Sequence, residues 1–304
     1  MSDIITIEQK DFAGHPLLTR LRELHDVPSM MRVRGTLPHV TFDEYGRATP
    51  RILTIVGSRK NTTYGRHVLE KLVASLRGED VIILSGLALG IDGLAHKNAL
   101  ANSLITLAIP GSGLDPSVLY PRTHANLAED IIAHGGVLLS ELDDKDTAAT
   151  WTFPMRNRIM AALSDAILII EAEEKSGTLI TARQGLELGR DIGAVPGEIF
   201  SSNASGTNML IKEGAYPITS SDDLFALLHL SKKEPEDIFS SSSKKENNFT
   251  SEENLLLSLL REPLPKDTLF VRSGLSIPVF LGTFSSLELR RHVEETFGEV
   301  RRMV

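Results

Sequence analysis

Four glycine-rich turns follow short apolar runs in this sequence and could bind phosphate groups. They are Gly57-Ser58-Arg59, Ser85–Asp92, Gly111–Asp115 and Glu171–Thr178. Each glycine lets backbone amides approach a ligand closely, and a helix that starts there presents free N–H groups and about half a positive charge, which suits phosphates. One such turn is more often only a tight connection between strand and helix. Four turns at one sheet edge, with Arg59 and Lys175 among them, favour phosphate binding.

A second candidate site is the segment Trp151–Arg158, which combines an aromatic side chain with two arginines. Arg156 and Arg158 could neutralise phosphates while the Phe153 ring stacks on a base, as in grooves that bind single-stranded nucleic acid. A purely structural interpretation fits equally well. In it, Phe153 lies in the core and both arginines pair with the acidic residues at 143, 144 and 146.

These turns belong to a repeating pattern of strands and helices. Apolar runs of strand length lie at Ile52–Val56, Val81–Leu84, Leu104–Ile109, Gly136–Leu139, Ala166–Ile170 and Ile192–Val195. Helical patterns separate them at Tyr64–Leu76, Gly90–Ala101, His124–Ala133 and Gly177–Leu188. Because the runs are continuously apolar, the strands should be buried on both faces. We therefore predict an α/β fold over residues 46–230, an extended Rossmann-like, doubly wound and mostly parallel sheet, with the turns at the carboxyl ends of its strands.

The rest of the chain predicts three further parts. Residues 1–45 form a short N-terminal segment with a helix over Pro16–Leu24, too short to build its own core. Residues 231–250 are rich in charged residues and serine and predict a flexible linker. Residues 251–304 predict a small winged-helix module. Its seven basic and eight acidic residues, with an apolar candidate recognition helix at Ile277–Leu289, favour contact with protein over duplex DNA.

Composition and missing motifs exclude several classes of function. The chain has 304 residues, a net charge of −8 and no cysteine, which excludes disulfides, thiolate metal sites and a cysteine nucleophile. It has no P-loop motif, and no G-x-G-x-x-G follows the first strand. Asp92 and His96 are interpreted as a helix cap and an ordinary histidine, not as half of a metal site. We expect no catalytic residue, metal or cofactor, and a cytoplasmic protein without a membrane partner, since no apolar run reaches about 18 residues.

Several short motifs occur in a fixed order over residues 50–215. They are Ile52–Arg59, Ser85–Asp92 with Ala95-His96, Gly113-Leu114-Asp115, Tyr120-Pro121, Ser140-Glu141, Phe153–Ile159, Ser176–Arg183, Gly189-Arg190, Ala194–Gly197 and Gly206–Ile211. In this order they resemble the DprA/Smf family of DNA-processing proteins. The resemblance implies a Rossmann-like core that binds single-stranded DNA without sequence preference, protects incoming strands and loads the RecA recombinase during natural transformation. It also implies a homodimer that is not an enzyme.

The resemblance further implies roles for individual residues. It places DNA-phosphate binding at Gly57, Ser58, Arg59 and Gly86, and at the turn Lys175-Ser176-Gly177-Thr178. It makes Arg156 and Arg158 extensions of a positive groove, and Phe153 a platform for a base. The sequence departs from the family pattern at His124, where asparagine is common, and in a longer loop at 116–119.

Two alternatives stay open at this point. The nucleotide phosphoribohydrolases, enzymes of the same fold superfamily, share the Gly177-Thr178 turn but carry a glutamate shortly after it, where this chain has Thr181 and Ala182. General acid–base catalysis at a glycosidic bond therefore lacks its expected carboxylate. The same turns could also hold a mononucleotide, as in a nucleotide-binding sensor.

Overall fold

The structure is a computed structural model that describes residues 3–230, 249–260, 263–290, 292–296 and 298–302. The chain divides into two compact units, Met1–Lys233 and Glu234–Val304. Most of the predicted linker at 231–250 lies outside the described residues, so its flexibility stays a prediction.

A mixed sheet dominates the first unit. The strands of this unit are β1 (Ile4–Glu8), β2 (Met30–Gly35), β3 (Thr41–Phe42), β4 (Ala48–Thr49), β5 (Arg51–Val56), β6 (Val81–Ser85), β7 (Ile105–Ala108), β8 (Val137–Ser140), β9 (Ala166–Ile169), β10 (Asp191–Ala194) and β11 (Tyr216–Pro217). Its helices are α1 (Pro16–Thr19), α2 (Thr63–Ser75), α3 (Ile91–Ala101), α4 (Ala125–Ala133), α5 (Thr152–Leu163), α6 (Thr178–Glu187), α7 (Ser202–Lys212) and α8 (Ser221–Leu227). Nine strands form one sheet in the order β1-β2-β8-β7-β6-β5-β9-β10-β11, and β3 pairs with β4. The strands from β8 to β11 in that order are parallel, whereas β1 and β2 are antiparallel.

The parallel strands are buried on both faces, which explains their continuously apolar sequences. Along β5, Leu53 and Ile55 pack into one core with α2, α3 and α8, while Ile52 and Val56 pack into the opposite core with α5 and α6. Each predicted strand and helix of this sheet is present within one residue of its expected bounds. The predicted Rossmann-like, mostly parallel α/β fold is confirmed.

The strand order reverses around β5. The chain adds β6, β7 and β8 on one side of β5, then returns to add β9, β10 and β11 on the other. The helices that follow β5 and β9, α2 and α6, cover opposite faces of the sheet. A crevice therefore opens between the carboxyl ends of β5 and β9, where ligands bind in open α/β sheets.

The N-terminal segment joins the first unit. β1 and β2 extend the sheet beyond β8, with Arg32 opposite Ser140. The helix expected over Pro16–Leu24 is a short α-helix, α1, followed by a 3₁₀ turn at Arg20–Glu23. Leu18 is buried in the same core as α5. The described part of the N-terminal segment thus shares the core of the parallel sheet.

The second unit has its own small core. Its elements are α9 (Ser251–Leu259), β12 (Leu264–Pro265), α10 (Lys266–Ser273), α11 (Ile277–Leu289), β13 (Val293–Thr296) and β14 (Glu299–Arg302). The strands form an antiparallel sheet with β14 in the centre, and Phe284 and Val300 are part of the core. Ile277, Leu281 and Leu289 of α11 are exposed. The winged-helix interpretation and the protein-contact role stay predictions.

Within the described residues, no helix combines the length and apolar character needed to cross a membrane. The same residues contain no group of three or more histidine, aspartate or glutamate side chains placed to hold a metal ion. His96 is fully buried, and its Nδ1 lies 2.7 Å from the Thr106 hydroxyl. This histidine therefore belongs to the packed interior.

Candidate functional site

A cleft of about 510 Å³ opens at the carboxyl ends of β5 and β9, beside the first turns of α5 and α6. We name it the β5–β9 cleft. Eight of the eleven residues expected to bind DNA line it: Gly57, Ser58, Arg59, Phe153, Arg156, Ser176, Gly177 and Thr178. Gly86, Arg158 and Lys175 are not among its lining residues. The two candidate sites of the sequence, the glycine-rich turns and the aromatic–arginine segment, are thus one site.

An arginine and a phenylalanine ring meet at this cleft, and a tyrosine outside the lining residues contacts the phenylalanine. The guanidinium carbon of Arg59 lies 4.9 Å from the centre of the Phe153 ring, a cation–π contact. The Tyr120 ring meets Phe153 edge to face, with 5.9 Å between the ring centres. Arg59 and Tyr120 are exposed and Phe153 is half-buried. The group can therefore offer a positive charge and a flat apolar surface to one ligand.

The glycine-rich turn after β7 positions the Phe153 ring. The Thr152 hydroxyl, in the first turn of α5, donates a hydrogen bond to the carbonyl oxygen of Gly111 at 2.6 Å. A Cβ atom at Gly111 would lie 2.6 Å from a carbon of the Phe153 ring. Glycine is required there because the ring packs directly on the backbone.

The turn after β5 contacts the start of α6. The Thr178 hydroxyl donates to the carbonyl oxygen of Gly57 at 3.3 Å, and the Thr178 amide donates to the Ser176 hydroxyl at 3.2 Å. Gly90, with a φ of +77°, lies so close that a Cβ atom there would be 2.3 Å from the Ser58 carbonyl oxygen. Because α6 begins at Thr178, the positive end of its dipole lies at the cleft and favours an anionic ligand.

Arg156 is a buried structural group at the base of the cleft. It is 8% exposed and donates to the carbonyl oxygens of Gly86 and Ile109. The Asp92 carboxylate, 4% exposed, lies 3.6 Å from its guanidinium. Burial lowers the pKa of Arg156 and raises the pKa of Asp92, and in each case the partner's charge opposes the effect of burial. The pair is close to neutral as a unit, so Arg156 ties two strand-end turns together and adds little positive field.

Gly86 serves this buried pair. A Cβ atom at Gly86 would lie 1.8 Å from an Arg156 nitrogen, so any side chain there would displace the guanidinium. Asp92 is not the N-cap of α3, which is Gly90; its carboxylate faces Arg156 instead. The interpretation of Asp92 as a helix cap was wrong, because the sequence does not show that Arg156 reaches it.

Arg158 and Lys175 are not part of the cleft lining. Arg158 forms an ion pair with Glu141 and donates to the carbonyl oxygen of Asp26 at 2.5 Å. Lys175 is exposed in the loop before α6. Their predicted contacts with DNA stay predictions. The structural interpretation was right that the arginines pair with acids, but wrong about the acids, since Asp143 and Asp144 pair with Arg32.

Residue type and spacing did not indicate three groups at or beside the cleft: the lining residues Lys60 and Asp92 and the neighbouring Tyr120. Tyr120 was recognised only as part of a motif, and its proximity to Phe153 is set by the tertiary fold. The position of Asp92 near the start of α3 does not show its contact with Arg156, which the tertiary fold also sets. His124, the departure from the family pattern, is buried with its Nδ1 2.8 Å from the Leu87 carbonyl oxygen. It therefore supports the turn after β6 and does not line the cleft.

Comparison with known proteins identifies the family of this fold and site. Residues 3–229 match the model of the family described as DNA recombination-mediator protein A. The chain is 36% identical over 241 residues to protein Smf of Escherichia coli, covering 78% of this chain and 64% of that protein. The chain thus spans somewhat less than two thirds of that relative's length.

The solved structures that resemble this fold include two of DNA processing protein A. DNA processing protein A from Streptococcus pneumoniae has a TM-score of 0.65 at 34% identity, with 74% of each chain covered. DNA processing protein A from Helicobacter pylori has a TM-score of 0.60 at 27% identity, covering 75% of this chain and 98% of that one. The Helicobacter pylori protein is described as binding single-stranded DNA.

Proposed function

Because this chain belongs to the DNA recombination-mediator protein A family, we propose that it binds single-stranded DNA in the β5–β9 cleft. The contact between Arg59 and Phe153 carries this proposal. A nucleic-acid strand alternates negative phosphates with flat bases, and an exposed guanidinium beside an aromatic ring offers one group to each. The start of α6 adds a second attraction for phosphate.

The expected binding has little sequence preference. A guanidinium and helix amides contact phosphates, and a phenylalanine ring stacks on any base because every base has a π-face. We therefore assign strand binding to Arg59, Phe153, Ser176, Gly177 and Thr178. Arg156 and Gly86 support the floor on which these residues lie.

The proposal extends to partners and cellular role through the family resemblance. The protein would protect incoming strands and load RecA onto them in the cytoplasm during natural transformation, and it would act as a homodimer. Light scattering tests the dimer, and assembly of RecA on strands bound by this protein tests the loading. A monomer in light scattering would contradict the proposed homodimer. RecA assembly that this protein does not accelerate would contradict the proposed loading.

We also propose that the protein is not an enzyme. Thr181 lines the cleft at a position where a glycosidic hydrolase would need a carboxylate. Of the two carboxylates in the lining, Asp92 is buried and paired with Arg156, and Glu173 is exposed in the loop before α6. Incubation with nucleoside monophosphates should release no free base. Release that scales with protein concentration would favour the phosphoribohydrolase alternative.

The experiment that tests the main proposal is fluorescence anisotropy on labelled oligo-dT, with a duplex of equal length for comparison. Arg59→Ala should weaken oligo-dT binding by about tenfold or more, since hydrogen bonds to charged groups contribute about 1.5–3 kcal/mol. The matched control is Arg77→Ala, an exposed arginine near the opposite, amino-terminal edge of the sheet. Equal affinities for wild type, Arg59→Ala and Arg77→Ala would contradict the proposal.

A further inference from the structure

A second cleft, of about 690 Å³, lies at the same edge of the sheet. We name it the β9–β10 cleft, because its walls include the segments that follow β9 and β10 together with the start of α2. Thr62 and Glu171 line this cleft, and each is two residues from a residue of the β5–β9 cleft, Lys60 and Glu173. The Asn203 side chain donates to the Lys60 carbonyl oxygen at 3.3 Å. The two clefts are therefore neighbours.

The lining of the β9–β10 cleft does not suit phosphate. Ile170, Val195 and Ala204 give it a buried apolar floor. Glu171 and Glu198 supply two carboxylates, and no lysine or arginine is among the described residues that line it. A ligand that fits must be largely apolar and must carry hydrogen-bond donors.

The Glu171 carboxylate is built into the wall of this cleft. It is 4% exposed, and it accepts hydrogen bonds from the Thr62 amide, at 2.9 Å, and from the Thr62 hydroxyl. A Cβ atom at Gly65 would lie 2.4 Å from its carboxyl carbon, so α2 needs glycine at that position to admit it. Each carboxylate oxygen has one of these bonds and can accept another. Glu171 is therefore a fixed acceptor with remaining capacity.

Tyr64 provides an aromatic wall for the same cleft. Its hydroxyl donates to the Pro196 carbonyl oxygen at 2.9 Å, which connects the start of α2 to the segment after β10. Burial, and secondarily the charge of Glu171, raise the pKa of Tyr64, so the phenol stays protonated at neutral pH. Half of the side chain is exposed. A flat ligand could stack on this ring while its edge faces the carboxylates.

We infer that the β9–β10 cleft binds a nucleobase that carries an exocyclic amine: cytosine, adenine or guanine. The amine donates to Glu171 and Glu198, as carboxylates accept from the cytosine amine elsewhere. Thymine is disfavoured, because its O4 oxygen would face a carboxylate. The base belongs to the strand held in the neighbouring cleft, in which case the inference rests on the proposed function, or to a free nucleoside. In the strand it adds a modest base preference to binding that is otherwise sequence-independent.

The first arm of the test compares dC12 with dT12 by anisotropy. Wild type should bind dC12 about fivefold or more tightly than dT12, the smaller end of the discrimination that one good base contact gives. Glu171→Gln and Glu198→Gln should narrow or reverse this ratio, because an amide can donate to the thymine oxygen. Glu213→Gln, an exposed site outside the cleft, is the matched control for charge and should preserve the ratio. Retained dT12 binding shows that each variant is folded.

The second arm measures free cytidine and thymidine by equilibrium dialysis without DNA. Cytidine binding that is lost in Glu171→Gln, with equal affinities for dC12 and dT12, would support the base site and identify a free nucleoside as its ligand. A wild type that binds no dT12 would contradict the proposed function. The dialysis of cytidine would then be the sole test of base binding in the β9–β10 cleft. Equal affinities for dC12 and dT12, together with no saturable cytidine binding, would overturn the inference. A preference for dC12 that both Glu171→Gln and Glu198→Gln retain would overturn it as well.

Discussion

Replacing Arg156 should lower the stability of the fold, and this loss should exceed any loss of a direct contact between Arg156 and DNA. Arg156→Ala leaves the Asp92 carboxylate buried without its counter-charge and leaves two backbone carbonyls without their donor. Removing one partner of a buried ion pair costs about 3–5 kcal/mol. A shift of about 2–4 °C per kcal/mol then predicts that the melting temperature falls by about 6–20 °C.

Thermal melts and urea unfolding of Arg156→Ala and Arg59→Ala measure this difference. The exposed Arg59 should change the free energy of unfolding little, while its loss weakens DNA binding. The double variant Arg156→Met with Asp92→Asn should be less destabilised than the sum of the two single variants, since it removes both charges together.

A stable Arg156→Ala variant with weakened oligo-dT binding would refute this reasoning. It would mean that the guanidinium leaves Asp92 and reaches the strand, as the sequence resemblance implied. Binding should therefore be measured at a temperature where every variant is folded, so that lost affinity cannot be confused with lost structure.

Two further predictions concern the rings and the buried histidine. Phe153→Ala should weaken oligo-dT binding by about 5- to 150-fold in anisotropy, the equivalent of the roughly 1–3 kcal/mol per stacked base, whereas Phe153→Trp should retain binding; equal loss in both would argue against stacking. Burial lowers the pKa of His96 to about 3 from an unfolded value of 6.5. Below about pH 6.5 the unfolded chain therefore takes up a proton that the folded chain does not. The free energy of unfolding should then fall as the pH drops toward 3. Urea unfolding at pH 7 and pH 5 should show a smaller difference for His96→Gln than for wild type or for the exposed-site control His67→Gln, and an unchanged difference would rule out His96 as the cause.

The parallel strands could be predicted because strands buried on both faces have a recognisable local sequence pattern, an apolar run bounded by glycine. β1 and β2 have no comparable sequence pattern. Their antiparallel pairing is completed by β8, a strand about a hundred residues away, and Arg32 opposite Ser140 is a tertiary fact. A short segment at 1–45 was therefore predicted without its place in the sheet.

The site shows the same division between local and distant information. Arg59, Phe153 and the turn before α6 could be found from residue type and from the convergence of strand ends. The burial of Arg156 could not, because its partners Gly86 and Ile109 are 70 and 47 positions away in the chain. Residue type alone cannot separate a guanidinium that meets solvent from one that holds two turns together.

The small size of the β5–β9 cleft has a consequence for which nucleic acids can enter it. The whole protein carries a net charge of −8, and the attraction of the basic groups at the cleft for phosphate extends over a screening length of about 8–10 Å at physiological salt. A duplex stays straight over about 150 base pairs, so it cannot bend into an opening of this size. A flexible single strand can place a few nucleotides in the cleft while the nucleotides on either side bend away from it. The difference in stiffness would then make the cleft select single-stranded over duplex DNA, independently of which bases the strand carries.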